Sequence, residues 1–148
     1  MNRDQRGSAL VELTWLGVLL LIPMLWIVLS VSDVQRGAFG VSSAARAAGR
    51  AYAVAPDDAL GRVRAEQAAR QALADQGLRG VPVTVTVTCA PYPHACHQGT
   101  SVVTVRVATR VDLPLLPDVL GGQAPSFALD AEHIVPIGQY HEVHDAAP

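Results

Sequence analysis

Residues 13–31 read LTWLGVLLLIPMLWIVLSV, nineteen consecutive positions without a charged side chain. At about 1.5 Å of rise per helical residue, this stretch comes close to crossing a hydrocarbon core about 30 Å thick. Arg3 and Arg6 precede it with Asp4 as the single acid, and the next basic residue after it is Arg36. This excess of positive charge predicts a single-pass membrane helix with a cytoplasmic N-terminus and the bulk of the chain on the extracytoplasmic side.

An acidic residue, Glu12, stands immediately before this apolar stretch. A carboxylate drawn into the bilayer costs at least about 2.5 kcal/mol, so a residue of this kind indicates a function and needs a cationic partner. Gly7 and Ser8 precede it, and Glu12 is the fifth residue counted from Ser8. The residues that precede Glu12 therefore suggest where its partner arises.

This arrangement resembles the prepilin peptidase site of type IV pilins, and the resemblance implies cleavage between Gly7 and Ser8. Cleavage would remove a leader of residues 1–7 and create a new ammonium at Ser8, about one helical turn from Glu12. In pilin families the acid of one subunit is thought to pair with the new N-terminus of its neighbour. A buried carboxylate is tolerated when a cation satisfies it, so the resemblance assigns Glu12 to registration of the subunit during assembly.

Two other interpretations of the N-terminus stay open. An uncleaved single-pass anchor would show the same apolar stretch, with Glu12 reaching back to water at the interface. A cleaved secretory signal has a shorter apolar core of about 7 to 15 residues and ends at an A-x-A-like site. The best candidates for such a site are residues 30–32 and residues 38–40.

The helix is expected to continue beyond the membrane, because residues 33–55 are rich in Ala, Gly and Ser. Small residues recur there at four-residue spacing in two rows: Gly40, Ala44 and Ala48, and Ala45, Gly49 and Ala53. Rows of this kind let two helices approach closely, which predicts a packing ridge. An alanine-rich helix exposed to solvent is the alternative, since alanine favours helix without any packing.

The leader, Glu12, the small-residue helix and the segment AARAAGRAYA at residues 44–53 together resemble the TadE-like family of minor pseudopilins. This family belongs to the tight-adherence (Flp) branch of type IV pilus systems. The resemblance is most specific over residues 6–53 and implies one membrane helix followed by a small β-containing domain. It also implies three kinds of partner: a prepilin peptidase, other pilins or pseudopilins, and the inner-membrane assembly platform. Trp15, Trp26 and Thr14 depart from many members of the family.

A second helix is predicted over residues 56–77. Pro56 and the acids after it are typical of a helix start, and Gly77 is typical of a stop. The apolar positions follow helical spacing and form a shallow seam: Ala65, Ala68, Ala69, Ala72 and Leu73. We expect this surface helix to cover one face of the sheet that follows.

Three strands are predicted from alternation of period two. Valines alternate with threonines over residues 81–89, and a matching pattern covers residues 103–113. Residues 127–135 give a third, shorter strand after a turn at Gly121 and Gly122. The fold class is therefore expected to be α+β, with a small antiparallel three-stranded meander behind the long helix.

Two cysteines, Cys89 and Cys96, flank the loop between the first two strands. In an oxidising compartment, a pair of this kind favours a disulfide. Zinc is the alternative, because His94 and His97 lie beside the cysteines, although the spacing does not match the familiar zinc motifs.

Composition and motifs narrow the functional classes. The net charge of −2 gives no basic face for nucleic acid, and all 11 basic residues are arginine, which removes lysine nucleophiles. His141 and His144 are too close together for the H-E-x-x-H zinc motif. We therefore expect the segment that carries them to be a polar tail and not a zinc site. No catalytic residues, cofactor or metal are predicted, and the expected division is a leader (1–7), a membrane helix with its extension (8–55) and an extracytoplasmic domain (56–148).

Overall fold

A single helix of 48 residues, α1 (Arg6–Ala53), forms the axis of the computed structural model, which describes residues 6–112 and 126–139. At 1.5 Å per residue, the helix is about 70 Å long. Its longer first part, up to Arg36, stands outside the rest of the fold, whereas its shorter second part, from Gly37 onward, is packed on one side. We call these two unequal parts the first and second halves of α1. One continuous element therefore belongs to two different environments.

The second helix, α2 (Asp58–Asp75), has well-formed ends. The Asp57 carboxylate accepts a hydrogen bond from the Leu60 amide at 2.8 Å, which caps the N-terminus. At the other end Gly77 has a φ of +82°, and the Leu78 amide donates to the Leu73 carbonyl at 2.9 Å. This is the Schellman arrangement, which requires a left-handed residue that glycine adopts at little cost. The predicted stop at Gly77 is confirmed.

The three strands are β1 (Val83–Ala90), β2 (Val102–Asp112) and β3 (Ser126–Pro136), and they form one antiparallel sheet in the order β1-β2-β3. The predicted α+β class and the three-stranded meander are confirmed. The third strand is as long as the second rather than shorter. Its full length pairs with β2 from Val102↔Pro136 to Asp112↔Ser126, so the ladder continues past the residues that alternate most clearly.

The two helices lie on the same face of this sheet. Most of that face was expected to be covered by α2, but α1 covers the larger share. The shallow seam of α2 packs chiefly on α1, and α2 contacts the sheet mainly along β1. The second half of α1 covers β2 and β3. The expected role of α2 as the cover of the sheet is therefore revised, because its Gly and Ala seam fits the equally small side chains of α1 more closely.

The hydrophobic core lies between these layers. The inward row of β2 is fully buried, with Val103, Val105 and Val107 at 0% exposure. The outer face of the sheet carries no helix among the described residues and is largely polar, with Arg106 donating to Asp130 at 2.9 Å. Val102 and Ile134 are exposed apolar side chains on this face. A one-sided core of this kind matches the alternation of valine with polar residues in the sequence.

Candidate functional site

The first candidate is the exposed first half of α1. Its large apolar side chains from Leu10 to Val31 are almost all exposed, with Leu20 at 66% as a typical value. Among the described residues, α1 is the one helix long and apolar enough to cross a membrane by length and composition. A row of exposed Leu, Ile and Val side chains of this length is far beyond what a protein surface in water usually carries.

The hydroxyl groups in this segment bond to the helix itself. Each donates to the carbonyl four residues earlier: Thr14 to Leu10 at 2.8 Å, Ser30 to Trp26 at 2.9 Å and Ser32 to Val28 at 2.9 Å. A hydroxyl satisfied in this way does not need water. These three side chains are therefore compatible with an apolar surrounding.

Glu12 differs from those hydroxyl groups. Within residues 6–112 and 126–139, its carboxylate has no hydrogen bond and no ion pair. The predicted processing bond between Gly7 and Ser8 lies in the first turn of α1, and Ser8 precedes Glu12 by about one turn. The described part of the chain therefore offers the acid no cation of its own.

The predicted packing ridge of Gly40, Ala44 and Ala48 is buried inside the fold. Ala44 and Ala48 are fully buried, and a Cβ on Gly40 would come within 3.0 Å of Leu78. The ridge is thus a packing face, and the alternative of a solvent-exposed alanine helix is wrong. Because α2 and the turn after it pack on this side of α1, the ridge is not free to receive a neighbouring subunit.

The predicted cysteine pair is close enough to be joined. Cys89 near the end of β1 forms a disulfide with Cys96 in the following loop, with the two Cα atoms 5.5 Å apart. In this state neither thiolate can hold zinc. Among the described residues, no group of three or more His, Cys, Asp or Glu side chains could hold a metal ion.

A polar cluster that the sequence did not reveal lies at the far end of the domain. We call Tyr52, Asp58 and His97, together with the Cys96 amide, the Asp58 cluster. The Tyr52 hydroxyl donates to Asp58 Oδ1 at 3.1 Å, and the Cys96 amide donates to Asp58 Oδ2 at 3.0 Å. The Nδ1 atom of His97 is paired with Asp58 Oδ1. One carboxylate thus joins the end of α1, the start of α2 and the disulfide loop.

The imidazole of His97 makes contacts through both of its nitrogen atoms and through one face of its ring. Its Nε2 atom lies 2.9 Å from the Tyr52 carbonyl, which can only accept, so Nε2 carries a hydrogen. The Nδ1 atom faces the Asp58 carboxylate on the opposite edge of the ring. The ring also stacks on Tyr52 with centroids 4.8 Å apart, and Gly61 leaves the space that the two rings occupy.

The cluster shifts the ionisation of two of its members. Burial alone would raise the pKa of the Asp58 carboxyl, but the hydrogen bonds from His97, the Cys96 amide and Tyr52 outweigh it and lower this pKa below its ordinary value. Burial, together with the nearby Asp58 charge, raises the pKa of the Tyr52 hydroxyl. Both shifts favour the charge state in which the carboxylate accepts and the phenol donates.

The geometry of the Asp58 cluster suits a clasp between segments. His97 is 6% exposed, its ring lies against Tyr52, and its Nδ1 and Nε2 atoms contact the Asp58 carboxylate and the Tyr52 carbonyl. In the sequence, His97 resembles a possible zinc ligand beside the cysteines, and Asp58 resembles an acid at a helix start. The two residues are 39 positions apart in the sequence, so no motif based on spacing could have paired them.

The remaining histidines do not form a site with this cluster. His133 lies on β3, with its ring against the backbone of Gly49 in α1. His141 and His144 lie outside the described residues.

Comparisons with protein-family models, with characterised proteins and with solved structures give no match.

Proposed function

We propose that this chain is a minor pilin-like (pseudopilin) subunit that acts in assembly of a Tad/Flp-type pilus or a related secretion filament. The role is structural, and the protein is processed by a prepilin peptidase. One observation carries the proposal. Glu12 is a charged side chain beside a long exposed apolar helix, and it lacks any partner among the described residues. An acid kept in such a place indicates a cation supplied by another molecule.

The proposed mechanism uses the two halves of α1 for different tasks. The apolar half anchors the subunit in the membrane, with the sheet domain outside, until assembly. Cleavage after Gly7 frees the Ser8 ammonium, and Glu12 pairs with the ammonium of a neighbouring subunit. Because the ridge at Gly40, Ala44 and Ala48 is filled by the chain's own α2, contacts between subunits in the filament fall to the apolar half.

Mass spectrometry of the protein extracted from membranes tests the processing step. The expected mature N-terminus is Ser8, and Gly7→Leu is expected to leave the leader in place because a bulky residue stands at the cut. Gly17→Leu is the matched control, since Gly17 has open space around it and lies away from the bond. An intact Met1 in the unchanged protein, or a cut beyond Val31, contradicts the proposal.

An uncleaved, membrane-anchored envelope or binding protein is the alternative from another class. It shares the exposed apolar helix, and it differs in keeping residues 1–7. The same mass spectrum therefore separates the two functions.

A further inference from the structure

The end of the domain nearest the apolar half of α1 carries arginine and aromatic side chains. Arg79, which follows α2, and Arg110 of β2 line one surface depression together with Ser126. Phe127, the second residue of β3, is 49% exposed. We call these four residues the membrane-proximal rim.

The height of this rim along α1 follows from how β3 lies against the helix. Gly37 contacts Leu129, and Gly49 contacts Val135, so the strand and the helix run side by side in the same direction. Between these contacts the helix rises about 18 Å, and the strand rises about 20 Å. Because the two rises are nearly equal, a distance along β3 can be converted directly into a distance along the axis of α1.

This correspondence places Phe127 at the end of the apolar stretch. Phe127 lies two residues before Leu129. It is therefore about 7 Å closer than Leu129 to the N-terminal half of the helix. That distance corresponds to between four and five helical residues, and so to the level of residues 32–33. The uncharged stretch ends at Val31. Arg110, which pairs with Ala128, is within a few ångströms of the same level.

The charges at this level are unevenly satisfied. Arg36 pairs with Asp33 at 3.6 Å on α1, and a second acid, Asp112, ends β2. Among the described residues, neither Arg79 nor Arg110 has an ion pair or a side-chain hydrogen bond. A guanidinium presents a planar set of donors that fits a phosphate group. Two free guanidinium groups at the level of the bilayer surface therefore match the chemistry of lipid headgroups.

We propose that the membrane-proximal rim lies in the headgroup layer of the bilayer, where Arg79 and Arg110 bind lipid phosphates and Phe127 reaches the acyl boundary. This inference rests on the membrane anchoring in the proposed function. It goes further, because it makes the folded domain, and not only the helix, a lipid-binding part of the protein. The continuity of α1 from the apolar stretch into the domain supplies the reason, since no linker separates them.

Photo-cross-linking of the full chain in vesicles of phosphatidylethanolamine and phosphatidylglycerol tests the position of the rim. A photoreactive benzoylphenylalanine replaces Phe127 or, as the control, Ile134, which is exposed on the same strand. The two positions are about 23 Å apart, so we expect a lipid adduct at 127 in roughly tenfold excess over 134. Equal yields at the two positions overturn the inference.

A second pair of variants tests the arginines. In the protein labelled at 127, the double substitution Arg79→Gln with Arg110→Gln is expected to lower the adduct yield by about fivefold, because each arginine attracts anionic headgroups. Arg62→Gln with Arg64→Gln removes the same charge from exposed positions near the other end of α2 and should leave the yield unchanged. An unchanged yield in the first variant overturns phosphate binding by the two arginines.

Extraction with alkaline carbonate separates this inference from the proposed function. Protein released from the vesicles by carbonate contradicts membrane anchoring, and the rim proposal fails with it. Protein that stays in the vesicles, with no excess adduct at 127, leaves the anchored subunit intact and overturns only the rim.

Discussion

The two halves of α1 differ in which side chains they expose and which they bury. In the first half, large side chains such as Leu20 and Ile22 are more than 60% exposed, whereas in the second half the small Ala44 and Ala48 are fully buried. Small residues therefore mark the side of α1 that enters the protein core, where the larger Val41 and Tyr52 are buried beside them. Large apolar groups suit a lipid surrounding, and small ones allow another helix to come close.

Enlarging a buried alanine tests this comparison with the largest expected effect. Ala48→Leu forces three extra carbon atoms between α1 and its neighbours, and we expect a loss of about 3 kcal/mol in the free energy of unfolding. Ala38→Leu is the matched control, because Ala38 is exposed on the same helix. Urea unfolding of the detergent-solubilised protein measures both. Similar stabilities for the two variants would falsify the division of the helix into halves.

Removing the histidine of the Asp58 cluster should have the next largest effect. His97→Ala takes away the side-chain contact with Asp58 and the ring stacked on Tyr52, while the carboxylate stays in place. Because Asp58 keeps partial contact with water, we expect a loss of about 2 kcal/mol, less than for a fully buried pair. His94→Ala is the control at an exposed position. Equal unfolding midpoints for the two variants contradict the clasp.

The same cluster should have a smaller effect on how the free energy of unfolding changes at acidic pH. The pKa of Asp58 is lower in the folded protein than its ordinary value of 3.8, so the unfolded chain takes up this proton first. The stabilisation is therefore complete above the ordinary pKa and is lost as the pH falls through the lowered one. Comparison of the unchanged protein with Asp58→Asn should show a stability difference that shrinks below about pH 4. Parallel curves down to strongly acidic pH would argue against the shift.

The smallest expected effect on stability comes from the exposed half, where the functional effect is expected to be large. Glu12→Gln should change the free energy of unfolding of the domain by less than about 0.5 kcal/mol, because the side chain touches nothing in the fold. We expect normal cleavage at Ser8 but impaired incorporation into filaments, measured by the amount of the subunit in sheared pili. Glu66→Gln, which alters the exposed pair with Arg70, is the control. Normal incorporation of Glu12→Gln removes the role proposed for this acid.

The fold was largely predictable because local patterns specify it. The alternation of valine with threonine in β1 and the Gly77 stop of α2 are properties of neighbouring residues, and the structure bears them out. The partner of α2 was not predictable in the same way. An alanine seam fits either a sheet or another helix, and the choice depends on the small residues of α1 that lie against it.

The candidate sites also differ in whether neighbouring residues or distant segments form them. Glu12 was found because a charge beside an apolar stretch is conspicuous in one short segment. The Asp58 cluster was missed because its members come from three segments, and Asp58 and His97 each had a satisfactory local explanation. The length of β3 was underestimated for a similar reason, since pairing with β2 extends a strand whose first residues alternate weakly.

The absence of a break between the two halves of α1 fixes the angular phase of the whole molecule. Each residue turns an α-helix by about 100°, so the number of residues between Glu12 and Gly37 sets the direction in which the domain faces relative to the acid. One residue inserted after Ser32 would swing the domain by about 100° while raising it only about 1.5 Å. An insertion of seven residues would restore the heading to within about 20°. The number of residues in the helix therefore determines the direction in which the domain faces.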